Sequence, residues 1–123
     1  MKLLLDTHTA VWSVSSSHRL TPAIVEMLAD PDNDVLVSVI SLWEIAIKNG
    51  LAARDPMPFS AEIAAGRFLE LGYETLSLAP YHIVQLERLP HLHRDPFDRM
   101  LVAQANVEKL QIVTHDAVLG HYG

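Results

Sequence analysis

Apolar positions fall into two patterns along this chain. Leu3-Leu4-Leu5, Val35-Leu36-Val37-Ser38-Val39 and Ile112-Val113 are short, nearly continuous runs, as expected of strands covered on both faces. Tyr73 to Leu78 reads as a further short strand. Between these runs, apolar residues recur at helical spacing. Thr9 to Ser15 predicts a short helix ending in Ser15-Ser16-Ser17. Thr21-Pro22 supplies an N-cap and a proline at the first helical position, followed by Ile24, Val25 and Leu28 up to a stop at Asp30-Pro31. Ser41-Leu42-Trp43-Glu44 has capping-box spacing and opens a helix that runs to Lys48-Asn49-Gly50. Ser60 opens another, with Ile63, Ala64, Phe68 and Leu71 on one face and Gly72 at its end. Pro80 begins a helix through Leu89, and Asp95-Pro96 leads into the last long one, Phe97 to about Glu108, which is apolar nearly all round at its middle. Strands alternating with helices predict an α/β fold around a central parallel sheet of about four to five strands.

The first strand ends abruptly in Asp6. In open α/β sheets the functional crevice lies beyond the carboxyl ends of the strands, so Asp6 is placed there. Asp116 follows the last strand, and Glu44 opens the helix after the second, so both are expected at the same edge. Asp98 joins them only if the long loop before its helix is routed that way. Glu44 as a capping-box partner and Asp116 as an N-cap are the plain structural alternatives. Capping does not explain why a leucine run should end in Asp6.

Four carboxylates in one cleft repel unless cations neutralise them, and oxygen-only ligation suits Mg²⁺ or Mn²⁺. Two such ions about 3.5–4 Å apart bracket a phosphodiester for in-line attack by water. The chemistry expected is metal-dependent phosphodiester hydrolysis. Lys48, Arg94 and Arg99 are candidate phosphate contacts near that edge. Within Asp95-Pro96-Phe97-Asp98, Asp95 precedes proline and is the expected helix cap. Asp98 heads the stripe of Leu101, Val102 and Ala105, and is the expected metal ligand.

Composition narrows the classes further. The 123 residues, half of them hydrophobic, fit a single domain spanning 1–123. There is no cysteine, which excludes disulfides, thiolate metal sites and a thiol nucleophile; a reducing cytoplasm is the simplest compartment. No apolar run approaches the roughly 20 residues of a membrane span. Nine basic against fifteen acidic side chains give a net charge of −6, which argues against binding nucleic acid through a broad basic surface. His91 and His93 lack a third ligand nearby and read as solvated, while Trp12, Trp43, Phe68 and Phe97 read as core. No glycine-rich phosphate loop is present. A catalytically silent module holding an arginine-rich partner on its acidic patch, and a phosphatase acting on small phosphate esters, are the alternative readings.

The stretches Leu3-Leu4-Leu5-Asp6-Thr7-His8, Val37 to Lys48, His93 to Ala105 and Ile112-Val113-Thr114-His115-Asp116 together resemble the PIN-domain ribonucleases, and within them the VapC-type toxins of toxin–antitoxin pairs. The resemblance implies a Rossmann-like three-layer fold, a Mg²⁺ or Mn²⁺ site and cleavage of single-stranded RNA. It puts Asp6, Glu44, Asp98 and Asp116 at the family's acidic positions and Thr114 at a nearby hydroxyl position. It also implies a homodimer and an antitoxin protein that obstructs the active site. The departure is at the end, where many relatives continue into another strand and this chain stops at Gly123.

Overall fold

The computed structural model describes residues 1–50, 56–91 and 95–114. Its elements run β1 (Lys2–Leu5), α1 (Thr7–Ser15), a 3₁₀ turn (Ser17–Arg19), α2 (Pro22–Ala29), β2 (Asp34–Ser38), α3 (Val39–Gly50), α4 (Ala61–Glu70), β3 (Glu74–Leu76), α5 (Pro80–Arg88), α6 (Pro96–Glu108) and β4 (Gln111–Val113). The strands make one parallel sheet in the order β3-β2-β1-β4. The α/β architecture with a central parallel sheet flanked by helices is the one expected from the sequence.

Alternation along the strands builds the layers. Successive side chains of a strand point to opposite faces. Leu3 and Leu5 of β1, with Val35 and Val37 of β2, therefore meet α1, α2 and α4 through Ala10, Val11, Ile24, Ala64 and Phe68. Leu4 and Leu36 face the other way and pack on Leu101 and Ala105 of α6. α5 completes that second layer through Leu89 against Val102 and Ala103. Leu3, Leu4 and Leu5 are fully buried, each stabilising the fold by about 1.5–3 kcal/mol, which explains the unbroken run.

Local chemistry sets most boundaries. Thr21, Ser60 and Asp95 cap α2, α4 and α6 with their side chains, and Pro22, Pro80 and Pro96 open their helices. Gly72, at φ 82°, takes the left-handed turn after α4, where its N–H and that of Tyr73 bond the carbonyls of Leu69 and Phe68. One expected boundary is wrong. α3 begins at Val39, so Ser41 lies inside the helix, and Ser38 Oγ accepts the N–H of Ile40 instead. Glu44 is then not a first-turn acid, and the capping-box reading of it fails.

Candidate active site

β1 lies between β2 and β4, and the chain steps from it to opposite sides of the sheet, so the switch point falls between β1 and β4. Leu5 is in register with Val113, and the Asp6 N–H bonds the Val113 carbonyl at 3.1 Å. Asp6 and Thr114 thus leave their strands side by side. Asp6 is 3% exposed. Its Oδ1 accepts the Thr9 N–H at 2.8 Å and caps α1, and its Oδ2 accepts the Thr114 hydroxyl at 2.5 Å. Capping is part of what Asp6 does, a structural role to which the sequence reading gave little weight. A carboxylate offers about four lone-pair directions, so two accepted bonds leave it capacity for a further partner.

α3 reaches the same edge. The Thr7 hydroxyl at the start of α1 donates to Ser41 Oγ at 3.0 Å, and both residues are buried. Glu44 follows Ser41 by three residues and so shares its helix face. Glu44 is 2% exposed; Oε2 pairs with Lys48 Nζ at 2.7 Å, while Oε1 is buried with no hydrogen-bond partner among the described residues. A buried carboxylate oxygen without a donor is costly. Burial works against the Lys48 charge, but the hydrogen bond to Glu44 and the fields of Glu44, Asp95 and Asp98 prevail and raise its pKa above the ordinary value. Lys48 is thereby the electrostatic meeting point of α3 and the start of α6.

Within α6, Asp95 Oδ1 accepts the N–H groups of Phe97 and Asp98 at 2.8 and 3.2 Å, as its place before proline predicts. Asp98 lies in the first turn, partly buried, where its charge acts on Lys48. Arg99 does not join them: its guanidinium engages His91 Nδ1 at 2.9 Å and the Leu86 carbonyl at 3.3 Å, beside the end of α5. Asp116 and Arg94 lie outside the described residues, as does His93. Among the described residues, no three acidic or histidine side chains stand close enough to share one ion. The donor set is nevertheless oxygen-only, and the unpartnered Glu44 Oε1 is the kind of atom a divalent cation satisfies.

A buried polar chain braces the second layer, and nothing in the sequence pattern pointed to it. Ser38 Oγ donates to Gln104 Oε1 at 2.5 Å, and Gln104 Nε2 donates to the Ser77 carbonyl at 3.3 Å. His82 accepts the Ala79 N–H at Nδ1 and meets Glu108 through Nε2 at 2.8 Å. Ser38 also caps α3, so this chain ties the helix bearing Glu44 to the one bearing Asp98. The aromatic expectations divide: Phe68 is core, Trp12 and Phe97 are partly buried, and Trp43 is 57% exposed with Phe97 edge-on at 5.1 Å.

A family model for the PIN domain matches residues 3–123. The chain belongs to the PIN-domain family. It also superposes on a chain in the crystal structure of VapBC2 from Rickettsia felis bound to a DNA fragment from their promoter, with a TM-score of 0.69 and 17% sequence identity over 99% of this chain and 93% of that one. At that identity the likeness speaks for the fold. No protein of curated function matches the sequence. Among the described residues of this PIN domain, no helix is long and apolar enough to cross a membrane.

Proposed function

We propose that this PIN domain is a divalent-metal-dependent endoribonuclease and acts as the toxin of a toxin–antitoxin pair. The observation that carries the reading is Glu44: a buried carboxylate with one oxygen on Lys48 and the other without a partner among the described residues, on the helix face of Ser41, which Thr7 ties to the end of β1, while Lys48 itself feels the charge of Asp98. Asp6, Glu44 and Asp98, with Asp116 from beyond the described residues, are the proposed ligands of Mg²⁺ or Mn²⁺. When bound, the ion supplies a polarised phosphoryl oxygen and an activated water. The Thr114 hydroxyl and the Thr9 N–H fix the Asp6 carboxylate in one orientation. Asp95 fixes the first turn of α6, and hence the position of Asp98. Lys48, one-third exposed and paired with Glu44, is the proposed phosphate contact at the edge of the acids.

Cleavage of single-stranded RNA should require Mg²⁺ or Mn²⁺ and stop in chelator; cleavage that persists in chelator refutes the metal mechanism. A phosphatase would turn over a chromogenic phosphate monoester, and a silent module would bind no divalent ion in isothermal titration, so these two assays separate the alternatives. The toxin assignment takes support from family membership and from the VapBC2 likeness. It predicts that co-expression with a cognate antitoxin suppresses the activity. A homodimer is the proposed assembly, since Tyr81, Ile83 and Val84 of α5 and Trp43 and Ile47 of α3 leave large apolar side chains exposed. Sedimentation as a monomer at micromolar concentration would remove it.

A further inference from the structure

Beside the acids lies a groove of about 530 Å³, walled by α1, the 3₁₀ turn, the end of α3 and the segment Pro56-Met57-Pro58. Its size is that of a small-ligand site, where roughly 300–1,000 Å³ is usual. Its chemistry runs against that of the whole chain. The net charge is −6, yet the described lining residues include the two cations Arg19 and Lys48 and no carboxylate, with the His8 ring beside them. Lys48 lines the groove and is the residue paired with Glu44. Arg19, exposed on the surface, lies over the Trp12 ring with its guanidinium carbon 4.5 Å from the centroid, and the His8 ring meets Trp12 at 5.9 Å, tilted by 57°.

A flat cation and aromatic rings gathered in a concave site suit one kind of ligand: a charged phosphate carrying a flat base. A guanidinium stacked on indole keeps its N–H edge for phosphate oxygens and loses little freedom when it binds them. A base needs a π-surface, which a double helix hides within its own stack, so such a groove takes an unpaired nucleotide. We infer that this groove binds one nucleotide of single-stranded RNA next to the phosphate presented to the acids, with Arg19 as its phosphate contact and Trp12 and His8 against its base. The inference rests on the ribonuclease reading above, and it gives that reading a site for the strand beyond the metal ligands. Lys48 joins the two regions, because it lines the groove and bonds an acid of the site.

The test is fluorescence anisotropy with a short labelled single-stranded RNA of mixed sequence, in Mg²⁺ and in chelator, on the full chain and on Arg19→Glu. Arg19 is exposed and gives up only its contact over Trp12, so the substitution lowers the melting temperature by no more than about a few degrees. The expected result is about tenfold weaker binding by the variant, with a salt dependence shallower by roughly 0.7, the share of one neutralised phosphate on a single strand. In Trp43→Phe, Trp12 is the sole remaining tryptophan of the two, and RNA should quench its emission. Equal affinity of wild type and Arg19→Glu, no binding by the wild type, or no change in Trp12 emission would overturn the inference. So would equal binding of the matching duplex, or displacement of the RNA by polyglutamate at the same charge concentration, since the groove would then be reading charge alone. Cleavage by the wild type with equal affinities overturns the groove and spares the ribonuclease. Binding through Arg19 without cleavage supports the groove and counts against the ribonuclease.

Discussion

Replacing Lys48 with alanine tests the electrostatics of the site without touching a proposed ligand. Glu44 is 2% exposed, and Lys48 is the partner of one of its oxygens while the other has none among the described residues. Removing one member of a fully buried pair costs about 3–5 kcal/mol, because the remaining charge is stranded. Here the Lys48 side chain is 34% exposed, so water already reaches the pair, and the discounted cost is about 1–3 kcal/mol. For a chain of this length that lowers the melting temperature by roughly 4–12 °C. Thermal unfolding in chelator should be followed for wild type, Lys48→Ala, Glu44→Gln and the double variant. The double variant should regain most of the loss, since neutral glutamine needs no counter-charge, and the cycle should return a coupling of about 1–3 kcal/mol. Added Mg²⁺ should then raise the melting temperature of Lys48→Ala more than that of the wild type, because a cation held by Glu44 replaces the missing ammonium. If Lys48→Ala melts within about 2 °C of the wild type and the cycle shows no coupling, Glu44 is better solvated than its burial implies, and the charge argument for a metal falls with it.

Asp95→Asn should keep both stability and most RNA cleavage, since asparagine caps a helix as well as aspartate, whereas Asp98→Asn should abolish cleavage. Activity and melting measured side by side decide this, and an inactive Asp95→Asn beside an active Asp98→Asn would reverse the two roles. Gln104→Leu removes the acceptor of Ser38 and the donor to Ser77 from a fully buried position, and should cost about 1–3 kcal/mol in urea unfolding; an unchanged midpoint would show the polar chain to be idle. Burial raises the Tyr73 pKa above 10.0, with a hydrogen bond to Ser13 opposing, so the unfolded chain gives up that proton first. Stability linked to Tyr73 is therefore intact below about pH 10 and is lost as the pH climbs toward the folded value; unfolding curves of Tyr73→Phe at about pH 9 and 11 should show a smaller alkaline loss than the wild type.

What was legible in the sequence was what neighbours in sequence determine. Leu3-Leu4-Leu5 announces a strand buried on both faces, and the acid after it falls at the switch point because a parallel sheet puts strand ends there. Proline with a preceding threonine or aspartate fixed the starts of α2 and α6. The start of α3 was misread because two serines compete for it and Val39-Ile40 has strand composition; Ser38 wins, and Gln104 then binds its hydroxyl from 66 positions away. No local pattern signals such a pair. The same holds for His82 with Glu108 and for Thr7 with Ser41, whose partners are brought near only by the packed helices. Helical spacing grouped Trp12, Trp43 and Phe68 as core, but spacing says that residues share a face without saying what covers it, and the described residues leave Trp43 more than half uncovered.

On the ribonuclease reading, a chain of net charge −6 has to separate attraction from chemistry. The proposed set of acids at the strand ends is what a cation needs and what a phosphate avoids, so on that reading the approach comes from a side where positive charge is not cancelled. The structure has such a side: α1 is capped by Asp6 at one end, and the turn after its other end presents Arg19 over Trp12. A single short helix thus spans from an acid of the site to a cation of the groove. α3 repeats the arrangement within one turn, with Glu44 buried and Lys48 partly exposed. One helical turn, about 5.4 Å, is within the roughly 8–10 Å over which charges remain unscreened at ordinary salt, so on the same reading a strand held at Arg19 and reaching Lys48, whose charge Glu44 offsets, would lie within the field of the acids. Weak overall attraction then favours short, unpaired stretches that fit the groove over the long polyanions that a basic surface would collect.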